Sequence, residues 1–336
     1  MPITVRINAK TSAGAERRAV VVGGVNVDIG GQPFLPLVVK DSNPGRVTVS
    51  FGGVGRNIAH NMSLLGISTE MLTALGDDFY ASGITASCRE AGIGISHALR
   101  LPGENTSTYL YLNDCDGDMA AAVADMEICR QITPAYLESL LPLLERAQAV
   151  VLDTNIPEES VVWLAEHCSR PLFADCVSTK KAEKLRPVLG KLHTLKPNRI
   201  EAEMLSGVHI SDDASLRLAA DTLLATGLKR VFISLGSEGV LAAEGGKKLR
   251  LHCYPAEVKN VTGAGTHSWQ PLSGRMWSGF PLRTRYVMPP LRHPLPRRAS
   301  PPLTPPFRMR RYAAVYGIIR SRRQSSDLLY LLARGV

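Results

Sequence analysis

The chain has 336 residues, 45% of them hydrophobic, with a formal net charge of +9 and a pI near 9.4. That length holds one large α/β domain with a sizeable core, and no run of 18 apolar residues is present to span a membrane. Six cysteines (Cys88, Cys115, Cys129, Cys168, Cys176 and Cys253) lie scattered without CxxC or Cys/His metal spacing, which excludes a disulfide scaffold or zinc module and fits reduced thiols in the cytoplasm.

Residues 1–17 read as a polar lead-in without the apolar stretch of a secretory signal. Ala19–Val22 is an apolar run ending in Gly23-Gly24, a buried strand feeding a tight loop. Residues 34–50 alternate in a β-rich manner around an Asn43-Pro44-Gly45 turn, and Ser107–Leu112 has the same character. Together they predict a small exposed sheet beside the main domain, a lid with strands at about 32–50 and 98–113. Asn57–Leu65 is helical. Short buried strands follow at Thr69–Ala74, Ala149–Leu152, Pro171–Ala174, Thr194–Lys196 and Arg230–Leu235. Helices are expected at 80–91, 134–146, 158–168, 179–190, 199–206 and 213–227. The alternation predicts a doubly wound, mostly parallel sheet flanked by helices, with ligands at the carboxyl ends of its strands.

The chain changes character at Thr266. Residues 267–336 hold 13 Arg, no Lys, one acid (Asp327) and 10 of the 22 prolines, mixed with Trp269, Trp277, Ile318 and Leu328. That end therefore carries about +12 and the remainder about −3, so the basic pI says nothing about the partners of the folded part. An Arg-rich tail can bind nucleic acid, but this apolar, Pro-rich mixture matches no such module, and no nucleic-acid partner is expected. The genetic code suggests another cause. Thr266-His267-Ser268-Trp269-Gln270 can be written ACG CAC TCA TGG CAG, and one G placed ahead gives Asp-Ala-Leu-Met-Ala. Residues 280–288 in that frame can encode an amphipathic helix. The expectation is a single-base frameshift near codon 266, with residues 267–336 disordered or poorly packed.

Several short motifs carry chemistry, each with a bland reading when taken alone. Gly24-Val25-Asn26-Val27-Asp28 places a carboxylate past a strand end, where an Asx-turn or N-cap would serve as well. Gly52-Gly53-Val54-Gly55-Arg56-Asn57 opens a helix, as a plain strand–helix turn also would. Asn198-Arg199-Ile200-Glu201 has capping-box spacing. Gly263-Ala264-Gly265 before an expected helix makes a nest of N–H groups suited to a phosphate.

In this order the pieces resemble the ribokinase (phosphofructokinase-B-like) family of carbohydrate kinases over roughly residues 18–265. The matching residues are Val21 through Asp28, Gly52-Gly53 through Asn57, Gly76-Asp77-Asp78, Asn198 through Glu201, Ser234-Leu235-Gly236 with Gly239, and Thr262 through Gly265. Within that family, Asn113 through Met126 leading to Ile132-Thr133, Val177-Ser178-Thr179 and Leu192 through Arg199 are similar to the pseudouridine-kinase branch. The resemblance implies a Rossmann-like domain with a β lid, acting in the cytoplasm and possessing a lid through which two copies could pair. It implies transfer of the γ-phosphoryl of ATP to a primary hydroxyl of a small sugar or nucleoside, with Mg²⁺. Asn26, Asp28, Gly52, Gly53 and Asn57 would hold the sugar, and Asn198 and Glu201 would hold hydrated Mg²⁺. Asn198, Ser234, Gly236 and Gly239 would border the nucleotide, and Gly263, Ala264 and Gly265 would form the anion hole. One departure is serious: the Asp that serves as the family's base is replaced by Thr266, whose alcohol cannot accept a proton at neutral pH. Cys176 in place of a Pro and Ala81 near a usual Gly are minor. Three function classes are therefore weighed: a nucleoside kinase, with ribokinase as the alternative; an inactive remnant with residual sugar binding; and a nucleic-acid-binding protein.

Overall fold

The structure, a computed structural model, describes residues 18–251. The apolar runs become strands because each buries both faces, and the amphipathic segments between them become the covering helices. In chain order the elements begin with β1 (Arg18–Val22), β2 (Asn26–Pro33), β3 (Gly45–Gly52), α1 (Val54–Leu64), β4 (Ser68–Leu72), β5 (Ala74–Leu75), α2 (Phe79–Glu90), β6 (Ile93–Gly94) and β7 (Leu99–Arg100). Then come β8 (Thr108–Asn113), β9 (Met119–Asp125), α3 (Pro134–Ser139), α4 (Leu141–Arg146), β10 (Ala149–Asp153), α5 (Glu158–His167), β11 (Leu172–Asp175) and α6 (Thr179–Ala182). The described part closes with β12 (Thr194–Lys196), α7 (Arg199–Ser206), α8 (Asp213–Ala225), β13 (Arg230–Ser234), β14 (Val240–Glu244) and β15 (Lys247–Leu251).

The main sheet has the order β15-β14-β13-β12-β11-β10-β1-β4-β6 among the described residues. It is parallel from β6 to β13, and the β14–β15 hairpin continues it antiparallel. Alternate side chains of one strand enter opposite cores. Val20 and Val22 pack with Val150, Leu152, Leu164 and Leu195 on one face. Ala19 and Val21 pack with Ile58, Met62, Met71 and Val151 on the other. Each such valine or leucine contributes about 1.5–3 kcal/mol by leaving water. The doubly wound architecture read from the sequence is the one observed.

The second sheet, β3-β2-β8-β9, is the lid. Its limits differ from the expected 32–50 and 98–113. β2 already begins at Asn26, directly after the Gly23-Gly24 turn, and Asp28 therefore lies within a lid strand rather than in a loop. Residues 34–44 are not a strand: Phe34 N–H donates to Pro44 O at 3.0 Å, and the Asn43 side chain accepts from Val38 N–H and donates to Val38 O, closing an irregular loop. Leu99–Arg100 pairs with β5 in a separate two-stranded piece. β9 was not foreseen as a strand.

Two expected helices are broken for a common reason. The helix expected over 134–146 divides at Leu140, because Pro142 has no N–H to continue the ladder. The one expected over 179–190 is a single α turn followed by a 3₁₀ stretch, Glu183–Lys191, that contains Pro187.

Candidate active site at the strand ends

The first group of candidate residues assembles around the turn between β1 and β2. Asn26 is buried, and its Nδ2 donates to Asp28 Oδ1 at 2.6 Å, fixing the carboxylate. The backbone opposite is shaped to receive it. A Cβ on Gly52 would lie 2.0 Å from Asp28 Oδ2, so the β2–β3 pairing leaves room for the carboxylate only with glycine there. Gly53 has φ +100°, and a Cβ on it would press 2.6 Å from Gly24 O and 2.7 Å from Val25 Cα. The two glycines thus let the entry to α1 pack directly on the β1–β2 turn, and Asn57, half-buried, projects from the first turn of that helix. Burial raises the Asp28 carboxyl above its usual range, while the Asn26 hydrogen bond and the nearby Arg56 guanidinium act against that rise. Arg56 itself is buried and ties the elements together: Nη1 donates to Phe51 O at 2.9 Å and Nη2 to Ser87 Oγ at 2.5 Å.

The second group lies at the ends of β12 and β13. Asn198 caps α7 in a reciprocal arrangement: its Oδ1 accepts from Glu201 N–H at 2.9 Å, and Glu201 Oε2 accepts from Asn198 N–H at 2.8 Å. The capping box suggested by the spacing is present. Ser234 adjoins Asn198 through an isolated parallel bridge, its N–H donating to Pro197 O at 2.9 Å. Gly236 (φ +58°) and Gly239 (φ +96°) bracket the tight turn that follows, closed by Leu235 N–H to Gly239 O at 2.8 Å. Gly263, Ala264, Gly265 and Thr266 lie outside the described residues, as do the polar lead-in and the Arg-rich end.

Between the two groups the strand ends carry a row that the motifs did not announce. Asp153, Asp175 and Lys196 occupy register-matched positions at the carboxyl ends of β10, β11 and β12. Asp153 is wholly buried; its Oδ2 accepts from Gly24 N–H at 3.0 Å and Oδ1 from Asn155 N–H at 2.9 Å. Burial pushes its carboxyl up to about 6, with Asp175 adding to the rise and the two N–H donors and Lys181 opposing it. Lys196 Nζ pairs with Asp175 Oδ2 at 3.3 Å in a buried ion pair. The signal was available in the sequence: an acid or a Lys closing an apolar run, as in Val150-Val151-Leu152-Asp153, is an expensive placement unless the strand end faces a polar site.

The Gly76-Asp77-Asp78 motif is structural. Asp78 caps α2 by accepting from Ala81 N–H at 2.8 Å and also holds Thr106 N–H at 2.7 Å, locking the segment that leads into β8.

The candidate residues thus fall into two groups, one around the β1–β2 turn and its pairing with β3, the other at the carboxyl ends of β12 and β13. The model of the pfkB family of carbohydrate kinases matches residues 16–265. The chain belongs to that family. It is 39% identical over 268 residues to pseudouridine kinase of Escherichia coli strain K12, covering 78% of this chain and 85% of that protein. Its fold matches a carbohydrate kinase from Agrobacterium tumefaciens with a TM-score of 0.69 at 28% identity, covering 80% and 86% of the two chains. It also matches Arabidopsis thaliana ribokinase complexed with ribose and ATP, with a TM-score of 0.68 at 21% identity over 78% and 86%. The last likeness concerns fold alone. Among the described residues no helix is long and apolar enough to cross a membrane.

Proposed function

We propose that this chain derives from an ATP-dependent kinase that converts pseudouridine to pseudouridine 5′-phosphate, and that the chain as written has lost the reaction's base. The observation that carries the substrate reading is the 39% identity to a pseudouridine kinase across most of both chains. The site is consistent with it. Asp28, held by Asn26, would accept hydrogen bonds from ribose hydroxyls, and Asn57 would donate to or accept from them. The close approach at Gly52 and Gly53 would let the sugar lie against backbone.

The residues present fit a hydrated divalent cation. Asn198 and Glu201 offer oxygen donors alone, which suit a hard ion. Burial raises the Glu201 carboxyl and the neighbouring Asp175 adds to the rise, while the Asn198 N–H bond and the Lys196 ammonium oppose it. Glu201 and Asn198 would anchor Mg²⁺ through its water shell, and the ion would neutralise charge on the transferred phosphoryl group. Ser234, Gly236 and Gly239 would border ATP, and the N–H groups of Gly263, Ala264 and Gly265 would face the phosphate. Position 266 would then receive the proton of the attacking primary hydroxyl, and Thr266 cannot do so.

The family match ends at Gly265, one residue before the place where composition changes. That end point supports the frameshift reading of residues 266–336. Loss of a general base typically costs about 10²–10⁴-fold. ADP formation with pseudouridine, uridine and ribose, measured on this chain and on a version with one base restored near codon 266, tests the proposal. The restored protein should turn over pseudouridine at least about 10²-fold faster than the chain as written. Equal turnover would refute the inactive reading, and a preference for ribose would leave the family standing while removing the pseudouridine reading.

A further inference from the structure

One face of α2 borders a cleft that contains none of the candidate sugar, cation or nucleotide residues described above. Its volume is about 410 Å³, within the range of about 300–1,000 Å³ usual for small-molecule sites. Ser82, Thr85 and Arg89, spaced three and four residues apart, line it from α2, and Arg100 lines it from β7. The Gly76-Asp77-Asp78 segment completes the lining.

The charges in the cleft are divided along the helix, because Asp78 is the N-cap of α2 and Arg89 stands in its last turn. Two guanidinium groups gather at the Arg89 end. Arg100 Nη2 donates to Thr85 Oγ1 at 2.5 Å, which brings it onto α2 one turn before Arg89. The Thr85 hydroxyl is fixed in turn by donating to Ala81 O at 2.7 Å. Among the described residues neither arginine has an ion-pair partner, and the Arg89 side chain has no hydrogen bond. By contrast, Arg199, Arg217, Arg230 and Arg250 are each paired with a carboxylate. Like charges gathered round one hydroxyl repel each other, and an anion between them removes that repulsion. The acidic end is unequal. Asp78 is fully engaged, its Oδ1 accepting from Ala81 N–H and Thr106 Oγ1 and its Oδ2 from Thr106 N–H. Asp77 is exposed and accepts only from Gly103 N–H, through Oδ1 at 3.2 Å, which leaves Oδ2 open among the described residues.

We propose that this cleft binds a small phosphate ester that carries hydroxyl groups, with its phosphate between Arg89 and Arg100 and a hydroxyl donating to Asp77. The guanidinium fork presents paired N–H donors that match phosphate oxygens. A bare phosphate would fill only a fraction of the cleft. The carboxylates at the far end disfavour a second anionic group there and suit a neutral, hydroxylated body. The assignment is independent of the pseudouridine reading and of the residue at position 266.

Calorimetric titrations of the full chain at low salt, with ribose 5-phosphate, inorganic phosphate and neutral ribose as probes, test the assignment. Ribose 5-phosphate should bind with a Kd of about 1 mM or tighter, and about 10-fold more tightly than phosphate. Arg89→Gln and Arg100→Gln should each weaken both phosphorylated probes about 10-fold and leave ribose within about 2-fold. Asp77→Asn should erase the advantage of the ester over phosphate without weakening phosphate itself. All three side chains are exposed, so melting curves should show the variants folded. Unchanged ribose 5-phosphate affinity in both arginine variants would overturn the site, because that binding would then lie elsewhere on the chain. An ester bound no more tightly than phosphate would remove the assignment to an ester, and a chain that binds neither phosphorylated probe would remove the site altogether.

Discussion

At the scale of single residues the site is built on contacts that leave no spare volume. A Cβ at position 52 meets the Asp28 carboxylate at 2.0 Å, so Gly52→Ala must displace the group that would bind the sugar. Ribose affinity should fall about 10–100-fold, the worth of a hydrogen bond to a charged group, while the melting temperature changes less than it does for Gly53→Ala. The latter adds strain at φ +100° and presses on backbone. Asp153 makes a different test. Its native carboxyl, raised to about 6 by burial, binds protons that the unfolded carboxyl releases near 3.8. The native state therefore holds more protons between those values, and stability falls as pH rises through that window. Asp28 and Glu201, also raised by burial, act in the same direction. Urea unfolding from pH 4 to 7 should show the decline, and Asp153→Asn should flatten its own share of it. An unchanged slope in the variant would show that Asp153 is not the group concerned.

At the scale of elements, the lid is a sheet with two unlike faces. Alternation places Asn26, Asp28, Ser50, Gly52 and Tyr109 on one side and Val47, Val49, Leu110 and Val123 on the other. The latter four are 72%, 56%, 45% and 68% exposed, an apolar face larger than scattered surface residues would give. We propose that two copies pair through this face. Light scattering should report a dimer, and Val49→Asp with Leu110→Asp should give a monomer; a monomeric parent would remove the idea. The pattern of what was legible in the sequence follows from the same physics. Strands buried on both faces, such as Ala19–Val22 and Ala149–Leu152, announced themselves as apolar runs. β9, with Ala121, Ala122 and Ala124 all exposed, carries no such signal, and neither does Lys247–Leu251 in the final hairpin. Gly24 through Asp28 looked like a turn because Asn and Asp favour turns, yet pairing with β3 draws both into a strand. Glycines and the Asn198/Glu201 spacing marked out part of the candidate residues. Asp153, Asp175 and Lys196 stayed hidden because only the sheet register places them side by side.

At the scale of the whole molecule, the candidate residues are segregated along the chain, with the sugar side upstream of residue 58 and the cation and nucleotide side from Asn198 onward. A break at codon 266 would therefore spare the sugar side. If the frame has shifted, the DNA with one base restored should spell a continuous C-terminus of amphipathic helices, and early stop codons in that frame would sink the idea. The lid adds a consequence of its own. A residue proposed to grip the sugar and one proposed to meet a second copy are close in the lid: Asp28 pairs across β2 and β3 with Ser50, the chain neighbour of Val49. Any adjustment of that strand by one event is felt by the other, and such coupling is reciprocal by thermodynamic necessity. If two copies pair as proposed, protein concentration becomes a variable of ligand affinity: a titration performed on dilute monomer and one on concentrated dimer would describe two different binding constants for the same sequence.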